Sequence, residues 1–160
     1  QLALTLEADP DILVADEPTS ALDVSVQAQV INLMQRLQRE LGLAYLFISH
    51  NLSVVAYLAD EVAVMYLGKI VEIGPAEEIV HHPRHPYTQA LIAAVPDPDP
   101  TAELPDLPIR GYVPVTPGET LHSCNFFPRC PYGEKKCRED KPQLTQTDEG
   151  HSVSCFKIQG

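Results

Sequence analysis

Two adjacent carboxylates, Asp16 and Glu17, end a continuous apolar run of Ile12, Leu13, Val14 and Ala15, and an imidazole, His50, closely follows another that begins at Leu43. Neighbouring carboxylates repel each other in a confined place unless a cation lies between them and an anionic ligand. Mg²⁺ carrying a polyphosphate meets that need. A histidine at the same rim adds a group able to hold or share a proton near neutral pH. The second reactive set is Cys124, Cys130, Cys137 and Cys155, separated by gaps of five, six and seventeen residues. Thiols grouped in this way bridge or bind metal, according to the compartment they occupy.

The elements that must position these groups follow from periodicity. Pro10 and Pro18 bound the first apolar run, which reads as a strand inside a parallel sheet covered on both faces. The carboxylates then stand at its carboxyl end, where open α/β sheets bind ligands. Val26, Val30, Leu33, Met34, Leu37 and Leu41 fall on one helical face, with Ser25 as its cap and Gly42 as its stop. Leu43 to Ile48 reads as the next buried strand and brings His50 to the rim that carries Asp16 and Glu17. A short helix over Leu52 to Ala59 follows. Val62 to Tyr66 and Lys69 to Ile73 form a hairpin through Leu67-Gly68, and Ala76 to His81 a brief helix. Pro86 starts an amphipathic helix with Tyr87, Leu91 and Val95 on one face. Seven prolines between Pro96 and Pro117 forbid a helix and predict an extended connector. The same residues also admit plainer readings, with Asp16 and Glu17 as an acidic helix cap and His50 as a structural histidine.

The chain has 160 residues, 44% of them hydrophobic, enough for one core of ordinary size and a small satellite. A formal net charge of -11 argues against a nucleic-acid binder, which would show a basic face. No apolar stretch approaches the length of a membrane span, and no signal peptide is visible. Attachment to a membrane is therefore expected only through a protein partner. Gln1 opens a helix-like run already in progress, Leu2 to Glu7, broken at Asp9-Pro10, so the expectation is the C-terminal part of a longer protein.

Residues 12 to 23, Ile-Leu-Val-Ala-Asp-Glu-Pro-Thr-Ser-Ala-Leu-Asp, resemble the Walker B strand and D-loop of ABC transporter ATPases, and Ser49-His50 resembles their switch histidine. The resemblance implies that Asp16 holds Mg²⁺ of Mg-ATP through water, that Glu17 polarises the attacking water and that His50 contacts the γ-phosphate. It places Asp23 at a dimer interface. His85-Pro86-Tyr87-Thr88 resembles a segment typical of oligopeptide and dipeptide importer ATPases. The implied fold is α/β: over 1–82, the C-terminal part of an ABC-type P-loop nucleotide-binding domain. A Pro-rich connector and a small Cys-rich loop appendage, the C-terminal region of those importer ATPases, fill 83–160. The Gly-rich phosphate loop (Walker A), the glutamine loop and the signature segment precede this point in that family, so residues 1–160 alone are expected to be inactive.

By the same resemblance the protein powers peptide import by ATP hydrolysis at the cytoplasmic face of the cell membrane. Its implied partners are a second ATPase subunit, transmembrane permease subunits and, indirectly, an extracytoplasmic peptide-binding protein. Where ATP is spent disulfides are rare, so four thiols there point to a metal that supports a loop-rich segment with little core of its own. The segment from Cys124 to Pro131 with Cys137 and Cys155 resembles the C-terminal region of those importers, some of which carry a 4Fe-4S cluster. Zn²⁺ in a Cys₄ site is the alternative, although the close cysteine pairs usual for zinc are missing, and no metal is the third reading. His122 and His151 are read as bystanders. Two rival functions stay open: a metal-binding interaction or sensor module on a degraded ATPase, and an importer ATPase for nickel or another small solute.

Overall fold

The computed structural model describes residues 10–95, 109, 111, 122–148 and 150–159, which divide at Ala59/Asp60 into two compact units. The helical run expected before Asp9 lies outside the described residues, as does the proline-rich connector apart from residues 109 and 111.

In the first unit, β1 (Ile12–Asp16) pairs in parallel with β2 (Ala44–Ile48), from Ile12 opposite Ala44 to Asp16 opposite Ile48. The crossover between them is α1 (Val24–Leu41), as a parallel connection requires. Leu13 and Ala15 point to one face and pack with Met34 of α1, joined by Val30, Tyr45, Phe47 and Leu58. The other face differs from expectation. Ile12 and Val14 are 64% and 62% exposed, and Leu46 and Ile48 are exposed with them. Successive side chains of a strand alternate, and among the described residues only one face of this pair is covered.

α1 also departs in detail from its sequence reading. The buried stripe runs through Val30, Ile31 and Met34, whereas Val26 and Leu41 are exposed. Its cap is Asp23, whose carboxylate accepts from the Val26 N–H at 2.9 Å. Ser25 donates to that carboxylate at 2.7 Å and does not itself cap. Gly42 stops the helix as expected, with φ of 69°, a left-handed conformation that glycine adopts without steric cost. A short helix, α2 (Leu52–Leu58), follows β2 and is capped by Asn51.

The second unit is built on one antiparallel sheet of order β3-β4-β6-β5. β3 (Glu61–Tyr66) and β4 (Lys69–Pro75) form the expected hairpin, and both residues of its turn, Leu67 and Gly68, have positive φ. That is the turn whose twist matches paired strands. α3 (Ala76–His81) and α4 (Pro86–Ala93) come next. Pro86, Thr88 and Ala90 are the fully buried residues of α4, whereas of the expected face Tyr87 and Leu91 are half-buried and Val95 is exposed.

The cysteine-bearing segment contains a short 3-10 turn over Phe127–Arg129, α5 (Lys135–Glu139), β5 (Thr145–Asp148), β6 (His151–Val153) and α6 (Phe156–Gln159). It is not loops alone. β6 pairs with β4 through Glu72 opposite Val153, so strands from both ends of the unit share one sheet. Phe126 is buried against Tyr66, Tyr87 and His85, and Val153 is fully buried. Two aromatic rings from the hairpin and α4 thus supply the core that this segment was expected to lack.

Candidate functional site

Three groupings of polar side chains stand out, one in the first unit and two in the second. At the carboxyl ends of β1 and β2, the ladder continues one step past Asp16, where the Glu17 N–H donates to the Ile48 carbonyl at 2.9 Å. Glu17 then turns with φ of 47°, an unusual value for a residue with a side chain. Its carbonyl accepts from both the N–H and the hydroxyl of Ser20. This turn leaves Glu17 Oε1 at 2.7 Å from His50 Nδ1. Residues 33 positions apart are brought together because β1 and β2 are parallel neighbours and end at the same rim. Asp16 is exposed at that rim, and Asp23 lies at the start of α1 as its cap. The Asp23 carboxyl is held below its usual value by the hydrogen bonds from Ser25 and the Val26 N–H. A half-buried carboxylate hydrogen-bonded to an imidazole, with a strained backbone at that carboxylate and a second, exposed carboxylate before it in sequence, can orient or deprotonate water.

The second grouping was not foreseen from sequence. Glu72, in the middle of β4, is completely buried. Its carboxylate accepts from the Arg84 N–H at 2.7 Å, from the His85 N–H at 3.0 Å and from His151 Nε2 at 2.8 Å. Between Val64 and Met65 the β3–β4 ladder slips by one residue, which turns both Val71 and Glu72 inward. Arg84 also donates to Thr147 Oγ1 at 2.6 Å, and that hydroxyl donates to the His151 carbonyl. His151 is therefore engaged by Glu72 and is not among the residues lining the cysteine cavity. His85 is buried as well, and its Nδ1 accepts from the Tyr87 N–H to cap α4. Burial pushes its pKa down to about 4, against the opposing pull of the Glu72 charge. The motif His85-Pro86-Tyr87-Thr88 thus does a local job: a neutral imidazole caps the helix, Pro86 opens it and Thr88 is buried. A charge inside an otherwise apolar β-run was the available signal for Glu72.

The third grouping contains the cysteines, all half-buried free thiols. They line one apolar cavity with His85, Phe126, Phe127, Tyr132 and Phe156. Cys124 and Cys137 are joined by a 2.8 Å bond from the Cys124 N–H to the Cys137 carbonyl. Burial pushes the Cys124 thiol up to about 11, against backbone N–H groups of Phe126 and Phe127 aimed at its sulfur. Burial also raises Cys130 and Cys155, opposed by the Tyr132 N–H at the former and those of Lys157 and Ile158 at the latter. Gly133 lets the chain pass close to the Phe127 ring, since a Cβ there would lie 2.9 Å from it. Donors aimed at sulfur favour thiolate, the form that binds metal. Among the described residues, however, no three His, Cys, Asp or Glu side chains group as a metal ion would need. Neither the expected 4Fe-4S cluster nor the alternative zinc gains support from such a grouping, and the case for either rests on the shared cavity. His122 is exposed.

Residues 71–137 match the family described as the oligopeptide/dipeptide transporter, C-terminal region. Over 157 residues the chain is 51% identical to a dipeptide transport ATP-binding protein of Haemophilus influenzae, covering 98% of this chain and 48% of that protein. It is 49% identical over 156 residues to a di/tripeptide transport ATP-binding protein of Pseudomonas aeruginosa, covering 96% of this chain and 47% of that protein. The chain spans about half the length of the curated relatives it matches.

Proposed function

From a chain that belongs, through residues 71–137, with the C-terminal regions of oligopeptide and dipeptide transporters, we propose that the whole protein is the ATP-hydrolysing subunit of a peptide importer. The observation that carries this reading is the 2.7 Å approach of Glu17 to His50 at the carboxyl ends of neighbouring parallel strands. It joins in space the two motifs that the sequence resemblance assigns to one nucleotide site. In this reading Asp16 holds Mg²⁺ of Mg-ATP and Glu17 positions and deprotonates the attacking water. His50 stabilises charge on the γ-phosphate, so catalysis is placement plus electrostatics. The left-handed turn at Glu17 supports a catalytic role over a plain helix cap, because strain of this kind persists where function requires it.

By motif content, residues 1–82 contribute Walker B, the D-loop and the switch histidine, and residues 83–160 form the importer-specific region. Asp23 caps α1 and, on this proposal, its exposed carboxylate also faces a second ATPase subunit. The remaining partners are permease subunits at the cytoplasmic face of the membrane and, through them, an extracytoplasmic peptide-binding protein. No described helix is long and apolar enough to cross a membrane itself. Residues 1–160 lack the Gly-rich loop and lysine that cradle phosphates, so alone they neither bind ATP tightly nor hydrolyse it.

Cys124, Cys130, Cys137 and Cys155 would hold a 4Fe-4S cluster, which needs four thiolates around one dry space. Their wide spacing, without the close cysteine pairs usual for zinc, favours a cluster over lone zinc. The cluster's part is structural, joining the turn over Phe127–Arg129 to the segment that follows β6.

The deciding experiment is Mg-dependent ATP turnover by the full-length subunit with and without Glu17→Gln, alongside binding of ATP. Retained binding with lost turnover is expected. Equal turnover in parent and variant would exclude the assignment.

A further inference from the structure

Two lysines lie over aromatic rings that line the cysteine cavity. Lys157 Nζ lies 3.6 Å from the centre of the Tyr132 ring, and Lys136 Nζ lies 4.3 Å from the centre of the Phe156 ring. Both rings line the cavity. The contacts cross. A lysine of α6 covers a ring beside Cys130, and a lysine of α5, next to Cys137, covers a ring next to Cys155. Cations over ring faces attract the ring quadrupole, and an aliphatic stem lying along apolar surface excludes water.

We propose that the Lys157–Tyr132 and Lys136–Phe156 pairs are two latches that hold the C-terminal segment over the four thiols and govern the access of electrophiles and oxidants to them. The assignment stands whether or not the cavity takes a metal, because it depends on the cover and not on the contents. Closure shields sulfur, and removing either the lysine or the ring loses it.

The test is alkylation by iodoacetamide of the reduced, chelator-treated full-length subunit, followed residue by residue through the masses of peptides carrying Cys124, Cys130, Cys137 and Cys155. Tyr132→Leu leaves Lys157 in place and should raise the rates at constant pH by about two- to fivefold, the value of one exposed cation–π contact. Adding Lys136→Met should bring the increase to about tenfold, since independent sites multiply. Lys157→Met should raise the rates as Tyr132→Leu does, because it removes the same contact. Lys157→Arg, which keeps charge and ring contact, should restore parental behaviour. Unchanged rates in the Tyr132→Leu, Lys136→Met double variant would overturn the proposal, as would slower alkylation. So would a Lys157→Arg variant that behaves like Lys157→Met. Circular dichroism on each variant separates latch opening from unfolding, and Lys157→Arg keeps the test valid if Tyr132→Leu unfolds.

Discussion

The Glu72 carboxylate and the His151 imidazole meet at 2.8 Å between adjacent strands, with side chains 0% and 2% exposed. A buried carboxylate with one partner would be costly, but Glu72 has three donors: two successive backbone N–H groups and the imidazole. The pair joins the hairpin, the loop before α4 and the strand that leads to Cys155. Any force that opens β6 from β4 must strip donors from this carboxylate.

Glu72→Ala should therefore destabilise the second unit by about 3–5 kcal/mol, the usual cost of breaking a buried hydrogen-bonded charge pair from one side. Denaturant unfolding measured on parent and variant checks it. A loss within about 0.5 kcal/mol, typical of a surface change, would show that the three hydrogen bonds contribute little.

His85 gives a pH dependence of definite sign. Its folded pKa of about 4 lies below the ordinary value of 6.5, so between these values the unfolded chain binds the proton more readily. The stabilisation by neutral His85 is complete above pH 6.5 and is lost as pH falls toward 4. At about 1.4 kcal/mol per pH unit the loss amounts to about 3 kcal/mol. Glu72 and His151 are paired nearby, so the measurement is the difference between parent and His85→Asn, whose amide can still cap α4. Parallel stability curves from pH 7 to pH 4 would remove His85 as the cause.

How much of this was legible in the sequence varies with the range of the interaction. Local signals worked: Gly42 ends α1, Leu67-Gly68 turns the hairpin and Pro86 starts α4, each through backbone preferences carried by the residue itself. The rim pairing of Glu17 and His50 was also readable, because a strand-helix-strand pattern forces parallel neighbours to end together. The pairing of β4 with β6 was not. It joins Glu72 and Val153 across 81 positions, and short strands such as Thr145–Asp148 and His151–Val153 carry too few residues for a period to show. Asp23 was misjudged against Ser25 because both residue types cap helices, and only the backbone fixes which of them precedes the first turn.

Glu17 and His50 make separate predictions in the full-length subunit. Glu17→Gln keeps the shape of the side chain but not its basicity, so turnover should fall about 10²- to 10⁴-fold with ATP binding retained. Asp16→Asn should weaken Mg-ATP binding as well. His50→Ala should lower turnover by about 10²-fold with a smaller effect on binding, since the proposed mechanism gives it a contact to the phosphate that leaves. The stability of the first unit should hardly change with His50→Ala, because the imidazole is 78% exposed and exposed pairs are weak. Identical kinetics for the Glu17 and Asp16 variants would argue against distinct roles.

The cysteine cavity makes the last prediction, which separates cluster, zinc and no metal by composition. Protein prepared without oxygen should be brown and hold about four irons and about four sulfides per chain if Cys124, Cys130, Cys137 and Cys155 bind a 4Fe-4S cluster. Stoichiometric zinc in colourless protein would replace the cluster and keep a structural role for the site. Cys130→Ser tests that role, since Cys130 lies in the turn that follows Phe127 while Cys155 follows β6. If a metal joins these segments, the variant should lose protease resistance after residue 117 while residues 12–58 stay folded, because metal binding and local folding are one equilibrium. Equal resistance in parent and variant, in protein free of iron and zinc, would leave the cavity to its buried aromatic packing alone.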